Sequence, residues 1–144
     1  MNREYADEIS TAIGELKKDG RYRELNNYIQ HGTVSVFKHC RNVAYVSLLI
    51  ADRLHIRVDR KALVKGALLH DYFLYDWHEK NKNHRLHGFY HPRHALRNAM
   101  QDYNISDKEA DIILKHMFPL TIIPPNNREA WIVCMADKIC ATHE

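Results

Sequence analysis

The strongest constraint on this chain is a set of ionisable side chains at positions where helical spacing calls for apolar ones. Asp137 follows Cys134, Val133 and Ala130 at i−3, i−4 and i−7, and Ala141 lies at i+4. Residues so spaced share one face of an α-helix. A carboxylate on such a face loses its water, which costs on the order of several kcal/mol unless a cation answers it. Asp71 repeats the problem, with Leu68, Ala67 and Val64 behind it. His70 follows Ala67, Gly66 and Leu63. His39 leads Val43, Val46 and Ile50, and His116 follows Ile112 and Ile113. Ionisable groups thus occupy core-facing stripes of four different helices. A bundle that gathers them in its interior makes a metal site, a frequent use of bundle cores.

Imidazole and carboxylate suit Mn, Fe, Zn, Co or Ni, as one ion or two. The three cysteines, Cys40, Cys134 and Cys140, are unpaired in spacing. They read as reduced, buried thiols of a cytoplasmic protein and argue against a thiolate zinc site. A sixth ligand is sought among the histidines of LHGFYHPRHA. His91 precedes Pro92 and lies above Ala95 and Ala99, a small-residue face that permits close approach. His94 has Arg97, Asn98 and Gln101 as helical neighbours. His91 is therefore preferred, then His94, then His87. His31, His55, His78, His84 and His143 read as surface or loop residues.

The remaining pattern is helical. An amphipathic helix is expected from Glu4 to Lys18, a short one over Tyr22 to Ile29 and a long one over Ser35 to Leu54. Asp59 suits the N-cap of a fourth, whose stripe runs on to His70 and Asp71. Tyr72 to Tyr90 has no clean period and is expected to be an irregular functional loop. Pro92 suits the first turn of a helix ending near Tyr103. Ser106 with Glu109 forms a capping box for a helix ending near Met117, and Asn126 with Glu129 a second box for a helix through Thr142. The expectation is a single all-α domain over 1–144, a compact bundle of six or seven helices, with 1–30 as a helical extension packed on it.

Composition closes off other classes. With 45% hydrophobic and 27% charged residues, the chain is expected to fold around a core. A net charge of +3, with no basic block, is too weak to argue for a nucleic-acid partner. The longest apolar run, Val43 to Ala51, falls short of the about 18 residues a membrane span needs. The opening MNREYADEIS carries no apolar signal segment.

His39, the doublet His70-Asp71 within ALLHDY and Asp137 within MADK, in that order, resemble the HD-domain phosphohydrolase superfamily over roughly residues 31 to 144. The resemblance implies an all-α fold with divalent metal held by these four residues. His91 and His116 resemble the two further histidines of the binuclear subgroup, which cleaves phosphoester or phosphodiester bonds. No Gly-Tyr-Pro segment of the cyclic-dinucleotide subgroup is present, and the run is similar to short bacterial members of the family.

On that reading Asp71 bridges the metals, and hydroxide generated there attacks a small phosphorylated, nucleotide-like substrate. Asp76 would protonate the leaving group or orient water, and Lys138 or Lys115 would contact phosphate. Two rival readings share the residues: a di-iron oxygenase of the inositol-oxygenase kind, and a non-catalytic sensor or interaction module with a structural metal. Tyr5, Tyr22, Tyr28 and Trp131 are candidates for the core or for an interface between copies.

Overall fold

The structure, a computed structural model, describes residues 2–31, 33–74 and 87–144. Helix α1 spans Arg3–Lys18 and is followed by a 3-10 helix, Tyr22–Asn27. Strands β1 (Ile29–His31) and β2 (Val34–Ser35) form a small antiparallel hairpin. Helices α2 (Val36–Arg53), α3 (Arg60–Leu69), α4 (His87–Asp102), α5 (Asp107–Lys115) and α6 (Arg128–His143) complete the all-α architecture.

Local chemistry sets most boundaries. The side chains of Asn2, Ser35 and Asp59 accept backbone N–H groups at the starts of α1, α2 and α3, satisfying donors that no preceding turn can reach. Ser106 and Glu109 form the full reciprocal capping box of α5.

Four expectations are corrected. Ile29 belongs to a strand, because the 3-10 helix ends at Asn27 and Tyr28 is already extended, its carbonyl taking the N–H of Val36. Helix α4 begins at His87, so Pro92 sits inside it, where the ring forgoes one intrahelical hydrogen bond. Asn127, not Asn126, caps α6 by accepting from Ala130 N. The would-be box partner Glu129 turns instead to α3, where its carboxylate accepts Asp59 N at 2.7 Å. Finally, α3 stops at Leu69, so Asp71 lies in a turn beyond the helix.

One hydrophobic core joins every α-helix, with Tyr5, Ile9 and Leu16 of α1 packed on the same cluster as Leu48, Leu68, Ala99, Ile112 and Val133. The long α2 stripe is buried at Val36, Cys40, Val43 and Ser47, half-buried at Ile50 and exposed at Leu54, where the helix runs past the core. Gly66 sets the spacing of α3 and α5. A Cβ there would lie 2.6 Å from Ile112 Cδ1. Gly66 lies four residues before His70, and Ile112 four before His116. Their close approach brings the ends of the two helices together at one point. Among the described residues no helix is long and apolar enough to cross a membrane.

Candidate metal centre

His70 and His116 are the C-cap residues of α3 and α5, both still in helical conformation. At a helix end the last carbonyls lack their usual partners. Each imidazole turns back to supply one: His70 Nδ1 donates to Ala67 O at 2.5 Å, and His116 Nδ1 to Ile113 O at 2.8 Å. A carbonyl can only accept, so the proton sits on Nδ1 and each Nε2 faces the interior. The two rings meet edge to face, with centroids 4.7 Å apart.

Asp71 follows in the turn and splits its two oxygens between two groups. Oδ2 lies 3.3 Å from His70 Nε2 and 3.5 Å from His39 Nε2. Oδ1 lies 3.2 Å from His91 Nε2 and 3.3 Å from His116 Nε2. From α6, Asp137 Oδ1 completes the first group at 2.8 Å from His39 Nε2 and 3.2 Å from His70 Nε2. In the second, the Nε2 atoms of His91 and His116 face each other at 2.7 Å. Within each group, the donor atoms all lie within 4.8 Å of one another. All six residues expected from the sequence converge, and the most exposed, Asp137, shows 8% of its surface.

The fit to divalent metal is tested by what the side chains leave unsatisfied. Both Asp71 oxygens are sealed from solvent, and neither accepts a well-formed hydrogen bond among the described residues. Buried acceptors of this kind are costly unless a cation takes them up. The donors are nitrogen and oxygen only, a set suited to the borderline and hard ions named above.

Charge within the centre is unevenly distributed. Burial pulls the His39 imidazole down, yet its hydrogen bonds to Asp137 and Glu144 outweigh this and hold it at about 10. His70 is likewise held well above its ordinary value, the Asp71 charge overcoming burial. Burial alone would raise both carboxylates. Asp71 is nevertheless kept well below the usual range, chiefly by His70, and Asp137 is lowered by His39 and His70. His116 goes the other way: burial lowers it, and Asp71 does not compensate. In the first group an ion must therefore compete with protons for the Nε2 atoms, and in the second burial favours the uncharged His116 ring.

Of the other expected residues, His94 is exposed on the outer side of α4. The His87 side chain, and Asp76, His78 and His84, lie outside what the structure describes. Lys138 places Nζ 3.3 Å from His116 O and 3.5 Å from Cys134 O, steadying the turn that carries His116. Lys115 is paired to Asp111 at 2.9 Å. Cys40, Cys134 and Cys140 are free and buried.

Three supporting residues were not anticipated. Glu144 accepts from His39 Nδ1 at 2.8 Å. Asn98 donates to the carbonyls of Tyr72 and Phe73, the two residues after Asp71. The Phe73 ring packs edge-on to His91, with centroids 5.7 Å apart. Glu144 was readable, since it lies seven residues, two helical turns, past Asp137 on the same face. Asn98 had no such signal.

Residues 36–142 match the family model described as HD domain. No curated protein and no solved structure matches the chain. The matched segment contains all six converging residues, and the chain belongs to the HD-domain superfamily.

Proposed function

We propose that this chain is a metal-dependent phosphohydrolase that binds two divalent ions and cleaves a phosphomonoester or phosphodiester of a small, nucleotide-like substrate. The observation that carries the reading is the divided Asp71 carboxylate, one oxygen turned to each group of donors. His39, His70 and Asp137 would hold one ion, His91 and His116 the other, with Asp71 shared. Ions bound there would lower the pKa of water to about 7 and offset charge on phosphoryl oxygens.

The protein's share is positioning. His70 and His116 are locked in the tautomer that turns Nε2 inward, and the apolar core around them keeps competing water out. Asp76 is proposed as the proton donor to the leaving group. Lys138 is proposed as a phosphate contact, a role that requires its ammonium to leave the His116 and Cys134 carbonyls.

The test is elemental analysis of protein purified without chelator, followed by hydrolysis assays on phosphomonoesters, phosphodiesters and nucleotides after loading with Mn, Fe, Co, Zn or Ni. Two ions per chain, with turnover abolished by chelation and restored by metal, is the expected result. One ion would remove His91 and His116 from the ligand set. No ion after anaerobic reconstitution would sink the reading. The deep burial of all six ligands also suits a second reading, a structural metal in an interaction module. Two tightly held ions that raise the melting temperature, with no hydrolysis of any phosphoester, would favour it.

A further inference from the structure

Glu144 lies directly after α6, and its carboxylate is 6% exposed. Both of its oxygens face one atom, His39 Nδ1, at 2.9 and 2.8 Å. The opposite nitrogen of the same ring faces Asp137 Oδ1 at 2.8 Å. Asp137 and Glu144 are seven residues apart, so α6 and the residue that follows it bracket the imidazole from both sides. Each carboxylate only accepts, so Glu144 keeps a proton on Nδ1, and an ion at the centre would take the place of the Nε2 proton that faces Asp137.

The arrangement differs from those of His70 and His116. Those rings are set by neutral backbone carbonyls of their own helices. His39 is set by a full negative charge from Glu144, the residue that follows α6. A carboxylate behind a ligating imidazole makes the inward nitrogen a stronger donor and fixes the ring plane. It also adds a third negative charge beside the two carboxylates that would face four positive charges on two divalent ions.

Resting on the two-ion reading above, we propose that Glu144 is a positioning residue. Its carboxylate orients and strengthens His39 as a ligand, and so sets the affinity of the ion shared by His39, His70, Asp71 and Asp137.

The experiment titrates the metal-free chain with Mn2+, following the free ion by electron paramagnetic resonance, for wild type, Glu144→Ala and Glu144→Gln. Melting of each metal-free protein is measured alongside. Glu144→Ala is expected to weaken one of two Mn2+ sites by about 10- to 100-fold and leave the other within about threefold. Glu144→Gln keeps an acceptor for Nδ1 and is expected to recover part of that loss at unchanged melting temperature. Equal Mn2+ affinity in wild type and Glu144→Ala overturns the inference and leaves the metal reading intact. A Gln variant no better than Ala, or equal weakening of both sites, also overturns it. A wild-type chain that takes up no Mn2+ overturns the metal reading itself.

Discussion

The group formed by His39, His70 and Asp137 and the group formed by His91 and His116 meet at Asp71, but different forces hold them. The first is drawn from α2, the end of α3 and α6, elements whose contacts are made by large apolar residues such as Leu48, Leu68 and Val133. Within it, the His39 and His70 imidazoles pair with the Asp137 carboxylate, which raises the first and lowers the second from their ordinary values. The second rests on α4 and the end of α5. Among the described residues, helix α4 buries only Ala95 and Ala99 fully in the core, with Leu96 half-buried beside them, and each alanine methyl contributes about 1 kcal/mol or less. Its fit depends on polar ties to the segment after Asp71. Asn98 donates to Tyr72 O at 2.9 Å and Phe73 O at 3.1 Å, and Tyr72 Oη donates to Asp102, which also pairs with Arg21.

The first group offers an ion two carboxylates, Asp71 and Asp137, with Asp137 already aligned by His39 and His70. Among the described residues, the second group takes its only carboxylate from Asp71. Two ions should therefore bind in sequence, the first at the His39 side.

Asp71 is the shared element, so its loss should erase the distinction. Asp71→Ala is expected to take up no metal and to lose turnover by at least about a thousandfold, more than removal of a single oxyanion donor usually costs. Metal content and turnover measured on one preparation check this. A variant that kept one ion would mean the two groups are independent.

Removing one histidine from each side should show the asymmetry directly. His39→Ala leaves Asp137 and Glu144 without the imidazole between them. Breaking a buried charge pair this way costs about 3–5 kcal/mol. His116→Ala removes a neutral ring, so the metal-free protein should lose clearly less stability and keep one ion at the His39 side. Urea unfolding of both metal-free variants decides. A larger loss for His116→Ala would reverse the account.

How much of this was legible follows from what kind of signal each part leaves. Stripes at three- and four-residue spacing placed α1, α2 and α3 to within a residue or two, because burying one face imposes the period. The same stripes exposed Asp71, Asp137, His39, His70 and His116, since a polar group on an apolar face stands out. The Asp71 position in a turn was not legible: the apolar period behind it runs smoothly to Leu68, and nothing local announces that His70 ends the helix by folding back on Ala67 O. The start of α4 was hidden for a related reason. A proline is favoured in a first turn, which drew the boundary to Pro92 when the helix in fact begins at His87. Asn98 reads as an ordinary surface residue, because the carbonyls it serves belong to a segment 25 residues away.

Asn98 gives the sharper test of the weaker side. Asn98→Ala removes two donors from backbone carbonyls, an expected cost of about 1–3 kcal/mol. If the polar ties register α4 against Asp71, the second ion should weaken several-fold while the first is unchanged. Two-site Mn2+ titration of the variant measures both. Equal weakening would show that Asn98 supports the fold at large.

The smallest effect is a pH dependence at Asp102, at the far end of the same helix. Burial would raise this carboxyl, but Arg21 and Tyr72 hold it below its ordinary value of 3.8. A group with a lowered folded pKa contributes stability that is fully present above the unfolded value and is lost as pH falls through the folded one. The stability difference between wild type and Asp102→Asn, both metal-free, should therefore be constant above about pH 5 and shrink below pH 4. Because the Arg21 partner is partly exposed, the difference at neutral pH should be small, and added salt should reduce it further. Urea unfolding at pH 3, 4, 5 and 7 resolves it. A difference that grew on acidification would mean that protonated Asp102 is the form that holds α4, and the polar tie between α4 and Tyr72 would need another origin.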